Sequence, residues 1–386
     1  MPVGAAIRAG RARLVAPAVA LFLTLLAAQA GVLVLAPILV DVARDFGVST
    51  ATAGQVRTLT GLVAGVTALL LGRLAGGVAL RTLLAGGTLL LALSSLLTAL
   101  APSFAVFALA QIPTGIAVAV LVSGGVAGAA EWVEPAERAR VVAWALAGQA
   151  AAWVVGMPLV GAAADVSWRL AFALPVATAL VAAGVLSVCR AGPAAAEVAR
   201  VPLRTLLRDR AVAAWALGEL LAFSAWAGIL VFAGALLIES YGASPSLTGL
   251  VLAAGGASYI AGNFALRGLA ARSTRGLLIV LALLASVGAA VLGAARPALA
   301  VTALVFAALS AIAGGRTLAG SLFGLDAAPE RKLAVTSART AAGQFGYLVG
   351  SAVGGAALAV HGYPALGLAL AALFAAAAVP HLLRGG

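Results

Sequence analysis

Residues 148–172 read GQAAAWVVGMPLVGAAADVSWRLAF, and the only charged side chains in that stretch are Asp165 and Arg169. The uncharged part closes an apolar run that begins near Val141. After a short polar break the chain turns apolar again at Trp168 and stays so for roughly 20 residues, the length that crosses a hydrocarbon layer as a helix. Lipid offers no water to backbone N–H and C=O groups, so a run of this kind satisfies them internally, as a helix. Gly148, Gly156, Gly161 and Pro158 would weaken a soluble helix. In a membrane, glycines let neighbouring helices approach closely and a proline frees a carbonyl at which the helix bends.

Outward from this stretch the same alternation recurs. Twelve apolar runs are legible: 14–40, 53–74, 81–100, 104–129, 141–163, 168–189, 211–238, 247–266, 276–294, 298–322, 339–360 and 363–383. The 386 residues are 63% hydrophobic and 9% charged, whereas a soluble domain keeps about 25% charged. Soluble, disordered, coiled-coil and disulfide-scaffold readings are excluded, and the expectation is an all-α membrane protein with 12 transmembrane helices. The first run is too long for a signal peptide and reads as a retained helix. The single cysteine, Cys189, cannot form an internal disulfide or a cysteine metal site.

The net charge of +12 gains meaning from its placement. With the N-terminus inside, nineteen Lys and Arg residues fall in inner segments, four (Arg44, Arg57, Arg169 and Arg296) fall outside, and Arg316 lies within a run. That asymmetry follows the positive-inside rule and places both termini in the cytoplasm. Nucleic acid is not needed to explain it.

The two halves of the chain match at a constant offset of 195. Gly47, Ser49 and Gly54 return as Gly242, Ser244 and Gly249, and Leu74-Ala75 as Leu269-Ala270. Pro102 returns as Pro297, Gly148-Gln149 as Gly343-Gln344, and Trp168 as Tyr363. Six spans separate equivalent points, so the halves run in the same orientation. The expected organisation is an N-terminal six-helix bundle over 1–189, a cytoplasmic linker over 190–210 with Gly192-Pro193 and several arginines, and a C-terminal six-helix bundle over 211–386.

On these features the chain resembles the major facilitator superfamily (MFS), and within it the twelve-helix drug and metabolite exporters described as proton antiporters. The local match is Gly148, Gly156, Pro158 and Gly161, which resembles the exporters' glycine-proline pattern, followed by Asp165, Trp168, Arg169 and Phe172. The family's inner loop reads Gly-x-Leu-Ala-Asp-Arg-x-Gly-Arg-Arg. Gly72, Leu74, Ala75 and Arg81 match it, while Gly76 stands in place of the aspartate and Gly77 in place of the first arginine. Gln111 replaces the arginine that relatives link to proton coupling, with Thr114 and Gly115 completing that pattern. The resemblance implies two parallel bundles related by a pseudo-two-fold axis along the membrane normal, and alternating access between them. It further implies a monomer in the cell membrane whose partners are a small-molecule substrate, protons and the lipid bilayer.

Charge at membrane depth costs roughly 3 kcal/mol or more, which singles out Glu219 in the seventh run and Arg316 in the tenth. Glu219 is the candidate for a proton-coupling or cationic-substrate site. The competing reading is a structural Glu219–Arg316 pair between neighbouring helices. A carboxylate buried without a partner takes up a proton near neutrality, whereas one beside an arginine stays ionised. Asp41 and Asp45, near Arg44 and Arg57, read as a solvated rim cluster.

Gln29, Gln111, Trp153, Phe223, Trp226, Asn263, Gln344 and Tyr347 are candidates for substrate contact. Together they describe an apolar cavity with scattered hydrogen-bonding groups, suited to moderately hydrophobic organic molecules. Asn263 lies four residues after Tyr259 and fits equally well as a brace within its own helix. Gly148, Gly156, Pro158 and Gly161 form the candidate conformational seam, at which a leucine in place of Gly156 is expected to block close approach.

No metal ligand cluster, phosphate loop or cofactor motif is present in the sequence, and enzymatic chemistry is not expected. The expected function is secondary active export of a small, moderately hydrophobic drug or metabolite by proton antiport. A facilitator or importer of a small metabolite is the alternative. A non-transporting receptor or lipid-acting enzyme is the reading from another class.

Overall fold

The computed structural model describes residues 3–74, 78–134, 136–189, 210–272, 275–327 and 332–382. The described residues are almost entirely helical and contain no strand. The spans are α1 (Val3–Leu33), α2 (Val56–Leu74), α3 (Leu80–Ala99), α4 (Phe104–Glu131), α5 (Arg138–Ala151, continued through Ala152–Gly156 and Met157–Val166) and α6 (Ala173–Val188). The second half supplies α7 (Arg210–Tyr241), α8 (Pro245–Ala265), α9 (Arg275–Ala294) and α10 (Leu299–Ala327). A single helical stretch, Lys332–Ala376, is broken at His361 and Gly362, where Gly362 has φ +69°. It therefore holds two spans, α11 (332–360) and α12 (363–376), and the expected twelve crossings are present. Residues 190–209 of the expected linker, and the inner-loop positions Ala75, Gly76 and Gly77, lie outside the described residues.

The first apolar run is shorter as a helix than expected. α1 stops at Leu33, a buried turn follows, and a short helix occupies Leu39–Asp45. Pro37 removes a backbone donor and disfavours helical geometry before it, so the run breaks although its hydrophobicity continues. In α5, residues Ala152–Gly156 form a π-helical turn just before Pro158, which absorbs the missing N–H of that proline by widening the ladder.

The internal repeat has a local physical basis. Gly47 and Gly242 both adopt left-handed backbone, at φ 63° and 64°, a conformation that favours glycine. Two residues later Ser49 caps the next helix by accepting from the Thr52 N–H at 3.1 Å, and Ser244 accepts from the Leu247 N–H at 3.2 Å. At the same end Trp168 Nε1 donates to Asp45 and the Arg169 guanidinium lies 4.3 Å from the Trp168 ring, while Tyr363 donates to Glu239 and Arg296 lies 5.4 Å from the Tyr363 ring. Each bundle thus ends in an aromatic–carboxylate–arginine cluster built to one plan.

Packing differs between the two ends of the molecule. At the end away from the termini, one apolar core runs through both bundles: Ile38, Phe107, Met157 and Phe172 share it with Phe232, Leu236, Leu252 and Leu366. Toward the termini the cores separate. Leu21, Leu25, Leu84 and Leu186 pack within the first bundle, while Trp215 with Val335, and Leu278 with Leu281, pack within the second. The buried apolar core is thus continuous across the bundles at the far end and divided at the terminal end.

Candidate functional site

The α5–α8 and α2–α11 seams close the far end through glycines. A Cβ on Gly161 would stand 2.3 Å from the Pro245 carbonyl oxygen, and one on Gly249 would stand 2.4 Å from the Met157 carbonyl oxygen. On the other side a Cβ on Gly61 would meet the Leu348 nitrogen at 2.6 Å. These are backbone-to-backbone contacts between bundles, tied further by Asp165, which accepts from the Ser246 N–H at 3.1 Å, and by a hydrogen bond from Thr50 to Glu239. The other seam candidates face elsewhere. Gly148 lies against the Phe22 carbonyl of α1, and Gly156 faces the Leu174 side chain at 3.2 Å, both within the first bundle. The bundle-to-bundle contact expected at Gly156 falls instead on Gly161.

Glu219 on α7 and Arg316 on α10 are paired. Arg316 Nη1 lies 2.7 Å from Glu219 Oε1, with both side chains buried, and Arg316 Nη2 donates to the Gly218 carbonyl at 3.0 Å. A third group joins them: Arg339 Nε on α11 stands 3.6 Å from Glu219 Oε2, and its Nη2 donates to the Thr317 carbonyl at 3.4 Å. One carboxylate between two guanidiniums leaves a formal charge of +1, which opposes the cationic-substrate reading of Glu219. The carboxylate fits because Gly320 carries no side chain; a Cβ there would stand 2.2 Å from Glu219 Oε1. One turn below, Trp215 Nε1 donates to the Gly320 carbonyl at 2.7 Å and fixes α7 against α10.

Gly320→Val is expected to push the carboxylate off α10. Separating partners of a buried ion pair costs about 3–5 kcal/mol, so the purified variant should melt well below the parent. Gly86→Ala, where a Cβ meets nothing within 4 Å, should leave the melting midpoint in place.

Aromatic side chains surround the triad. The Arg339 guanidinium lies 5.5 Å from the Phe223 ring, and Trp226 stacks on Tyr259 at 5.7 Å and on Phe306 at 6.4 Å. A cavity of about 10 Å³ between Phe223, Trp226, Arg316 and Thr317 is close to the size that holds one water. Trp153, in the π-helical turn of α5, packs on Gly256 of α8 and so sits between the bundles. Tyr347 and the half-buried Gln344 lie on α11 beside Gly61 of α2, and Gln29 is half-buried on α1. Two candidates are occupied elsewhere. Gln111 donates to Thr98 at 2.9 Å and holds α4 to α3, and the Asn263 amide donates to the Tyr259 carbonyl at 3.2 Å within α8.

Arg57, expected in the rim cluster, is buried at 3% exposure, where it donates to the Gly31 carbonyl at 3.2 Å. Asp45 pairs instead with Arg169 at 2.9 Å, and Asp41 lies 3.9 Å from Arg44. Burial pushes the Asp41 carboxyl up, with Arg44 opposing and Asp165 reinforcing the shift. A second cavity, of about 310 Å³, lies within the second bundle toward its terminal end, lined by Trp215, Phe323, Asp326 and His381 among others.

The family model of the Major Facilitator Superfamily matches residues 21–236, more than half of the chain. The protein belongs to the Major Facilitator Superfamily. Solved structures of similar fold include a bacterial homolog of the human lysosomal transporter Spinster, inward-facing and occupied, at TM-score 0.74 and 17% identity over 95% of this chain and 94% of that one. The nucleoside transporter NupG follows at TM-score 0.79 and 12% identity over 97% and 100%, and a D-xylose–proton symporter at 0.74 and 16% over 94% and 96%. By sequence, the chain is 35% identical over 147 residues to the transcription regulatory protein OpdE of Pseudomonas aeruginosa, a match that spans 38% of this chain and 36% of that protein.

Within this facilitator-superfamily fold, sequence reasoning missed Arg339 and Gly320 as parts of the Glu219 site, and Tyr259 as its aromatic neighbour. Arg339 was hidden because it opens an apolar run, where an arginine reads as an inner-loop charge. Seven residues into α11, about 10 Å along it at 1.5 Å per residue, it reaches α7 instead.

Proposed function

We propose that the protein is a secondary active transporter that exports a small, moderately hydrophobic organic molecule across the cell membrane, with both termini cytoplasmic, by alternating access coupled to protons. The observation that carries this reading is the pairing of two features: an apolar core shared by the bundles at one end and divided at the other, and a buried Glu219–Arg316–Arg339 triad in one of them. Joined far-end cores and separate terminal-end cores make a two-state device of the kind rocking requires. With Arg57 removed from the outer set and Arg339 from the inner one, eighteen basic residues face three, so the orientation argument strengthens and the end at which the cores separate is cytoplasmic.

Glu219, Arg316 and Arg339 are the proposed coupling group. In antiport the two cargoes alternate: Glu219 carries a proton inward while the site is empty of substrate, and gives it up to the cytoplasm as substrate engages the site and the carboxylate returns to its arginines. The substrate contacts proposed are Trp153, Phe223, Trp226, Gln344, Tyr347 and Gln29, with Gln111 and Asn263 set aside because their amides already hold helices together. The chain acts as a monomer in the bilayer and engages no nucleic acid.

Two observations favour other readings. Glu219 is over-matched by arginines, and Gln111 stands in place of the coupling arginine of relatives, both of which suit an uncoupled facilitator or an importer. Similarity to a protein named as a transcription regulator suits a membrane sensor on a transporter scaffold.

Flux into inside-out vesicles, measured with and without an imposed proton gradient over a panel of hydrophobic antibiotics and metabolites, separates the three. Gradient-dependent uptake supports antiport, uptake indifferent to the gradient supports a facilitator, and no uptake of any compound supports the sensor. A reporter fused after Arg200 should be active only in the cytoplasm; activity outside the cell would reverse the orientation.

A further inference from the structure

The charges buried between the helices do not balance. Among the described residues at membrane depth, Arg57, Arg316 and Arg339 face one carboxylate, Glu219. Among the described residues, Arg57 has no carboxylate within 4.0 Å and donates to the Gly31 carbonyl at 3.2 Å. In the triad, Arg316 Nε and Arg339 Nε are buried without a hydrogen-bond partner, as is Glu219 Oε2, which faces Arg339 Nε at 3.6 Å. A guanidinium carries five donors in a fork that matches a carboxylate, sulfonate or phosphate, and buried cations left unmatched are unfavourable unless something completes them. Arg339 is the accessible member, with its side chain 29% exposed.

The surroundings specify the rest of a ligand. Phe223 lies against the Arg339 guanidinium, and Trp226, which lines the same small cavity as Arg316, stacks on Tyr259. Flat apolar walls with guanidiniums at one edge fit an aromatic or similarly flat organic anion better than a neutral or cationic molecule.

Resting on the transport reading above, we infer that the substrate class is organic anions, whose acidic group is held by Arg339 and Arg316 while the flat body lies along Phe223, Trp226 and Tyr259. Glu219, besides its proposed part in coupling, then positions the two guanidiniums. An inside-negative membrane potential by itself drives such a substrate outward.

The test uses purified full-length protein and three skeletons, phenyl, naphthyl and indolyl, each as the arylacetate, the arylacetamide and the arylethylamine. Binding is read by quenching of tryptophan fluorescence and by the shift in melting midpoint. At least one acid should bind ten-fold or more tighter than its amide and amine, and Arg339→Gln should erase that preference while Arg339→Lys keeps part of it. An amide or amine bound as tightly as its acid on every skeleton, or no acid bound at all, overturns the inference. So does an acid preference undiminished in Arg339→Gln. If that variant does not fold, the preference of the parent protein decides alone. Flux in proteoliposomes separates the two levels: acid-selective binding with no flux removes the transport reading and keeps the site, whereas flux confined to amines keeps transport and removes the anion.

Discussion

Replacing Glu219 with glutamine is expected to abolish gradient-driven transport and to lower the melting midpoint of the protein, with Arg316→Gln in the same chain restoring part of the stability but none of the coupling. Glutamine matches the protonated acid in shape and cannot carry its charge. In this site the loss of charge has a second consequence, because Arg316 at 2.7 Å and Arg339 at 3.6 Å are left facing each other without a carboxylate. Removing one partner of a buried pair costs about 3–5 kcal/mol, much of it from the uncompensated guanidinium. The double variant Glu219→Gln, Arg316→Gln removes one of those charges, so the two substitutions should be less than additive in stability. Equilibrative exchange of substrate should survive in Glu219→Gln at normal membrane levels. Undiminished gradient-driven flux in that variant would place the coupling group elsewhere or make the protein a facilitator.

Gly161→Val is expected to cost transport ten-fold or more by wedging the far end open. Its Cβ would stand 2.3 Å from the Pro245 carbonyl oxygen and 2.9 Å from the Ser246 Cα. Both are backbone atoms, so no rotamer change relieves the clash. α5 must part from α8, and the Asp165 to Ser246 N–H hydrogen bond goes with it. A cysteine placed at Ser246 should then react with a membrane-impermeant maleimide added from the far side, faster in Gly161→Val than in the parent. Cys189 stays silent, since it is buried at the other end of the molecule and burial pushes its thiol up, away from the reactive thiolate. Gly156→Leu, facing only the end of the Leu174 side chain, should leave labelling at Ser246 unchanged. Equal labelling in Gly161→Val and the parent would show that this seam does not gate the far end.

The amino-acid sequence by itself determined that the chain spans a membrane twelve times in two like-oriented halves, and where each half turns. Those properties are local. Span length follows from uninterrupted apolar residues, and the matched turns follow from a left-handed glycine and a serine cap two residues later, at Gly47 with Ser49 and at Gly242 with Ser244. It also marked Glu219 and Arg316 as the charges at depth, because each interrupts an apolar run. What only the tertiary structure decided is which faces meet. These helices are apolar and glycine-bearing all round, so periodicity names no inner face: Gly161 and not Gly156 forms the bundle seam, and Gln111 turns toward Thr98. The partners of a buried charge are likewise set by helix crossing. Arg339, 120 residues from Glu219 along the chain, completes the triad, and Arg57 leaves the rim for the Gly31 carbonyl, because a guanidinium excluded from water takes the nearest acceptor that packing brings to it.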